Sequence, residues 1–128
     1  MDAKQDKKYP LSETTQKIIG CAFEVYNQLG YGLPERAYQA ALAVCFEEHS
    51  LRYSREKYSI IKFGGKTIGK FYLDFLVEDK IAVELKVRIE QRQSDVSQLL
   101  NYLRSEKLNI GLLLIMTPKE VKIKRLIN

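Results

Sequence analysis

The chain has 128 residues, enough for one domain with a real core and too few for two. At 45% hydrophobic and 29% charged, its composition is neither disordered nor membrane-type, and no apolar run approaches the roughly 20 residues of a transmembrane helix. The formal charge of +5, from 21 Lys and Arg against 16 Asp and Glu, fits a polyanionic partner without requiring one.

Residues 1–10, MDAKQDKKYP, read as a disordered basic lead-in with no apolar signal segment, so a cytoplasmic location is expected. From Ser12, the residues Ile18, Ile19, Ala22, Phe23, Tyr26 and Leu29 recur at helical spacing until Gly30, which suits a C-cap. Gly30-Tyr31-Gly32 predicts a tight connection, and Pro34 suits the first position of a second helix running to about His49. Tyr38, Ala41, Leu42, Cys45 and Phe46 form the core side of that helix. Glu35 lies along the side of Tyr38 near the helix start, where the dipole alone already favours an acid. His49 reads as a partner for the C-terminal dipole rather than a catalytic base. Cys21 and Cys45 sit in apolar stripes and read as reduced, buried thiols. Two thiols and the lone His49 supply too few ligands at no recognised spacing, so neither a zinc site nor a disulfide is expected.

Leu51 to Phe63, the Gly64-Gly65 turn and Lys66 to Lys70 predict strands leading into FYLDFLVEDKIAVELKV at Phe71 to Val87. Read as two strands, this stretch places Phe71, Leu73, Phe75, Val77, Ile81, Val83, Leu85 and Val87 on one apolar face. Asp74, Glu84 and Lys86 fall on the other. Matching the apolar faces requires an odd loop, and Glu78-Asp79-Lys80 sets Asp74 opposite Glu84. Two facing carboxylates repel unless a cation or proton sits between them. The pattern is equally that of a solvated strand face with an ion pair between Glu84 and Lys86, although IAVELKV is apolar enough for a central strand, where charge is expensive.

Helix returns after Glu90, with Val96, Leu99, Leu100 and Leu103 as its buried stripe and Gln98 and Tyr102 on a neighbouring flank. IGLLLIM from Ile110 reads as a strand buried on both faces, Thr117-Pro118 ends it, and Val121 to Ile127 suggests a basic edge strand. The order α-α-β-β-β-α-β, with a further β at the end, predicts an α/β sandwich with a central mixed sheet, formed as one domain over residues 11–128.

That order, with Asp74 and the E-L-K of Glu84 to Lys86 on neighbouring strands, resembles the PD-(D/E)XK nuclease superfamily. G-L-P-E-R-A-Y at Gly32 to Tyr38 is similar to the signature of the GxxExxY family within it, and QLLNY at Gln98 to Tyr102 is similar to its Q-x3-Y element. Leu73 stands where the superfamily pattern often has proline. The resemblance implies a restriction-endonuclease-like fold and a metal-dependent phosphodiesterase acting on nucleic acid, with DNA the first expectation. By the same resemblance Glu35, Asp74 and Glu84 are metal-binding acids, Lys86 is the catalytic lysine, and Gln98 and Tyr102 are a supporting pair. The Leu85 carbonyl would add an oxygen to a shell suited to Mg2+ or Mn2+. Lys62, Lys66, Lys70, Arg88, Arg92, Lys122 and Lys124 are candidate phosphate contacts. No membrane partner is expected, and a homodimer would compensate for the small surface offered to a duplex. The alternatives are a catalytically silent module that binds nucleic acid or a protein, and a hydrolase for a small phosphate-bearing molecule.

Overall fold

The computed structural model describes residues 12–128, so the basic lead-in expected over residues 1–10 lies outside the described residues. Helices α1 (Ser12–Leu29) and α2 (Glu35–Glu48) precede strands β1 (Tyr53–Phe63), β2 (Lys66–Val77) and β3 (Ile81–Val87). Helix α3 (Gln93–Glu106) then leads to β4 (Ile110–Met116) and β5 (Val121–Ile127). The strands form one sheet in the order β1-β2-β3-β4-β5, in which only the β3–β4 pair is parallel. This is the mixed α/β sheet expected from the element order.

Gly30 closes α1 with a φ of 69°, its N–H donating to the Tyr26 carbonyl, because a left-handed C-cap is least strained without a Cβ. Pro34 occupies the N-cap of α2, one residue earlier than expected. Tyr38 is fully buried and its hydroxyl joins the Gly30 carbonyl to the Leu33 N–H, so the loop between the helices is tied to the first turn of α2.

The sheet separates two cores. On one face α1 and α2 pack against Phe75, Val77, Val83, Leu85, Leu112 and Leu114. On the other, α3 packs against Leu73, Ala82, Leu113 and Ile115. Strand β4 is buried throughout, as its unbroken apolar run requires. A Cβ on Gly111 would lie 3.1 Å from Leu103 Cδ1 and 3.3 Å from Leu99 Cδ2, so glycine there allows α3 to approach the sheet closely.

The loop between β2 and β3 has three residues, with Val77 paired to Ile81 and left-handed backbones at Glu78 and Asp79. The register predicted from an odd loop is therefore present. The expected alternation of faces holds from Phe75 onward and fails before it: Phe71 and Leu73 pack on the α3 side, while Phe75 packs on the α2 side. The cause lies at Glu56, opposite Asp74. Its φ is 56°, and the β1–β2 ladder passes from the Arg55–Phe75 pair directly to Lys57–Leu73. A left-handed residue rotates the strand, so Tyr53 contacts Phe46 and Phe75 on one side while Ser59 bonds Ser105 and Glu106 on the other. For a non-glycine residue such a backbone costs roughly 1 kcal/mol, a strain the surrounding hairpin holds in place.

Phe75 anchors the α2 side of this kink, edge-on to Phe46 at 5.1 Å and to Tyr53 at 5.7 Å. Phe75→Ala is expected to lower stability by about 3–5 kcal/mol in urea unfolding. A loss under about 1 kcal/mol would mean that the aromatic cluster does not support the hairpin.

Candidate functional site

The last backbone pair between β2 and β3 is Phe75–Val83, so the next rung sets Asp74 against Glu84. There the strands exchange side chains instead of carbonyls. The Asp74 N–H donates to Glu84 Oε1 at 3.0 Å, and the Leu85 N–H donates to Asp74 Oδ2 at 2.8 Å. Two carboxyl groups thus take the place of a ladder rung where β2 turns away. Gln39, on α2, donates to Asp74 Oδ1 at 3.1 Å.

Glu84 and Lys86 lie opposite Leu113 and Ile115 of β4, which places both on the α3 face. Lys86 Nζ stands 3.7 Å from Glu84 Oε2, and only 4% of Glu84 is exposed. Glu35, the first residue of α2, is half-buried. Its carboxyl is held above the ordinary range chiefly by burial; Lys86 and Arg88 oppose the shift, and Asp74 and Asp95 add to it. Burial also raises Asp74, against the Leu85 N–H and the other bonds that favour its anion. Glu84 is pushed up to about 8, first by burial and then by the charge of Asp74. The solvated-face reading fails for Glu84, which is nearly inaccessible.

Glu35, Asp74, Glu84 and Lys86 therefore share one electrostatic neighbourhood. The acids do not close into a tight cluster. Among the described residues, the one set of three Cys, His, Asp or Glu side chains whose ligand atoms all lie within 4.8 Å of one another is Cys21, Cys45 and His49. Even so, the donor chemistry at Asp74 and Glu84 fits a hard divalent ion. The oxygens are anionic or carbonyl, and two buried neighbouring acids repel unless a proton or a cation sits between them.

The supporting pair is divided. Tyr102 is buried, its ring centroid 5.8 Å from that of Phe71, and its hydroxyl is pushed up to about 12 by burial and then by the charges of Glu106 and Glu84. Gln98 is exposed; among the described residues no hydrogen bond joins it to Lys86. Instead it lines, with Tyr102, Ser59, Lys70 and Asn101, a cleft of about 410 Å³ between α3 and the β1–β2 arm. Lys62, Lys66, Arg92, Lys122 and Lys124 are exposed, and Lys70 Nζ lies 4.7 Å from the centre of the Tyr58 ring. Arg88 departs from expectation. Its guanidinium is forked onto buried Asp95 at 2.9 and 3.0 Å and also donates to the Val87 carbonyl, so it braces the link from β3 to α3 instead of presenting its donors to a phosphate.

Sequence reasoning missed Gln39, although its spacing of four residues from Glu35 puts both on one side of α2. It also missed Asp95, which looked like an ordinary first-turn acid. Cys21, Cys45 and His49, where neither a zinc site nor a disulfide was expected, are brought together by the α1–α2 pair, and both cysteines are free thiols.

An α/β sandwich with paired acids and a lysine on adjacent central strands is the architecture of a restriction-endonuclease-like domain. A family model described as the PD-(D/E)XK nuclease superfamily matches residues 12–126, and the chain belongs to that superfamily. Its nucleases act on nucleic acid and typically use divalent metals. Among solved structures, the crystal structure of SSO0001 aligns with a TM-score of 0.59 at 19% identity, a likeness of fold. The alignment covers 97% of this chain and 61% of that one, so the chain spans about three-fifths of that protein. No curated protein matches the chain in sequence. No helix among the described residues is long and apolar enough to cross a membrane.

Folded Glu84 keeps its proton up to a pH of about 8, against an ordinary value of 4.5. Between those values the native state binds more protons than the unfolded chain, so stability should fall as pH rises through that window. In EDTA, urea midpoints are expected to drop from pH 5 to pH 8 in the wild type and to vary much less in Glu84→Gln; equal slopes would discount the buried carboxyl. Arg88→Ala strands a buried carboxylate and is expected to destabilise by roughly 3 kcal/mol, with partial recovery in the Arg88→Ala, Asp95→Ala double variant. A loss below about 0.5 kcal/mol in the single variant would return Arg88 to the candidate phosphate contacts.

Proposed function

We propose that residues 11–128 form a single-domain nuclease of the GxxExxY type that hydrolyses phosphodiester bonds of DNA, with RNA as the other candidate substrate. The observation that carries this reading is the Asp74–Glu84 rung, with Lys86 Nζ 3.7 Å from Glu84. Glu35, Asp74, Glu84 and the Leu85 carbonyl would hold Mg2+ or Mn2+. Such an ion supplies a bound water of lowered pKa and offsets charge on the scissile phosphate.

The chain's own residues do the remainder. Gln39 and the Leu85 N–H orient the Asp74 carboxylate, so its lone pairs have a fixed direction before any ligand arrives. Lys86 places a compact ammonium beside the carboxyls, suited to orienting a nucleophilic water or to stabilising phosphate oxygens as charge grows. Tyr102, buried on α3 with its ring against Phe71, would pack beside the site. Lys62, Lys66, Lys70, Lys122 and Lys124 are exposed cations for backbone phosphates, with Arg92 beside the start of α3. Gln98 is better placed to meet substrate at the cleft it shares with Lys70 than to position Lys86. A homodimer would widen the basic surface.

One observation favours the rival, a nuclease-fold module that binds nucleic acid without cutting it. Asp74 and Glu84 already accept backbone N–H groups, and their ligand oxygens do not converge with Glu35. The two readings separate in one experiment. With Mn2+ and single-stranded, double-stranded and branched oligonucleotides, cleavage is expected in the wild type and to fall by about 100-fold or more in Glu84→Ala and Lys86→Ala. Calorimetric Mn2+ titration should show binding that weakens at least about tenfold in Asp74→Ala. Salt-dependent DNA binding with no turnover would establish the rival, and cleavage that survives both substitutions would place the activity elsewhere.

A further inference from the structure

On the α1–α2 hairpin, away from the paired strand acids, four side chains of mixed hardness meet. Cys21 and Glu24 are three residues apart on α1, and Cys45 and His49 are four apart where α2 ends, so each pair lies on one side of its helix. The ligand atoms of Cys21, Cys45 and His49 all fall within 4.8 Å of one another. Glu24 lies beside this trio, its Oε2 3.1 Å from Cys45 Sγ and 3.5 Å from His49 Nε2, but outside the set in which every ligand atom is within 4.8 Å of every other. We propose that Cys21, Glu24, Cys45 and His49 form a zinc-binding site that staples α1 to α2, independent of the nuclease reading.

The distances suit that ion. Zinc bonds of about 2.3 Å to sulfur and about 2.0–2.2 Å to nitrogen or oxygen make the edges of a tetrahedron roughly 3.3–3.8 Å long. The two measured separations are already close to that range, and closure requires Cys21 and Glu24 to rotate toward one another. Two thiolates, an imidazole and a carboxylate form a borderline-soft set that selects Zn2+ over Mg2+, the opposite preference to the oxygen donors at Asp74 and Glu84. Purely structural thiols need no charged neighbours. Here the Cys45 thiol donates to a carboxylate that also pairs with the chain's single histidine.

Access is also present. The cysteines are buried, but the His49 and Glu24 side chains are 47% and 42% exposed, and a cleft of about 330 Å³ lined by Glu24 and Cys45 opens beside them. On binding, the two thiol protons leave to solvent and the dication takes their place. Four protein ligands leave no open position, so the site is structural. Cys45 is ten residues beyond Glu35 on α2, about 15 Å along the axis at 1.5 Å per residue, so the staple holds the far end of the helix that presents Glu35 and Gln39.

The test uses the full chain, reduced and stripped of metal, with Co2+ and Zn2+ as probes. One equivalent of Co2+ should produce the near-ultraviolet thiolate charge-transfer band and the visible bands of a tetrahedral site, and Zn2+ should bleach them. Zn2+ should raise Tm by about 5 °C or more. Cys45→Ser should lower the thiolate band by half or more, since one of two thiolates is removed. His49→Ala, at an exposed position that leaves folding intact, should weaken Co2+ binding at least tenfold. Asp74→Ala should keep the band whether or not the strand acids bind metal, which separates this result from the nuclease reading. Absence of a thiolate–cobalt band in the reduced wild type, or its persistence unchanged in His49→Ala, would overturn the proposal.

Discussion

Everything at the candidate site follows from one rung in which two carboxyl groups stand where two carbonyls would ordinarily complete an antiparallel pair. Below that rung β2 and β3 form an ordinary ladder; above it β2 departs. The Asp74 and Leu85 N–H groups would be left without partners at this fork, and Glu84 and Asp74 accept them. The same bonds fix both carboxyls close together in a buried place, where their charges repel. Backbone satisfaction and charge accumulation are thus produced by the same two side chains, and the raised affinity of Glu84 for a proton is the direct consequence.

The departure of β2 has its own cause one strand away. Glu56, held left-handed opposite Asp74, turns the β1–β2 arm so that its outer half faces α3 while its inner half faces α2. Phe71 then meets Tyr102, and Ser59 meets Ser105 and Glu106, which attaches the arm to the helix that flanks Glu84. The kink therefore does two things at once. It opens the fork at which the buried acid pair replaces a backbone rung, and it builds the cleft shared by Gln98 and Lys70.

The α2 helix links this site to the rest of the molecule. Its first turn carries Glu35 and, one turn on, Gln39 reaches Asp74; its last turn carries Cys45 beside the thiol and carboxylate of α1. Donors at the two ends differ in hardness, oxygen at one and sulfur with nitrogen at the other, so the two sets would prefer different ions. Arg88 shows the opposite economy: a cation near the site whose guanidinium is fully engaged in bracing α3 through Asp95.

How far the chain was legible depended on whether a feature is local. Helical stripes, the glycine at the end of α1, the apolar run of β4 and the three-residue loop that sets Asp74 against Glu84 are short-range patterns with fixed periods, so the element order, the mixed sheet and the register could be read directly. Alternation failed at Phe71 and Leu73 because a period of two assumes uniform backbone, and Glu56 breaks it under strain imposed by neighbouring strands. The partners of Arg88 and the meeting of Cys21, Glu24, Cys45 and His49 were invisible for a related reason. Their distances depend on how one helix is rotated against another element, a quantity set by the shape of the cores on both sides of the sheet and encoded at no single position. Residue types and spacings thus determined which chemistry the chain carries, and tertiary contacts decided which of those groups stand together.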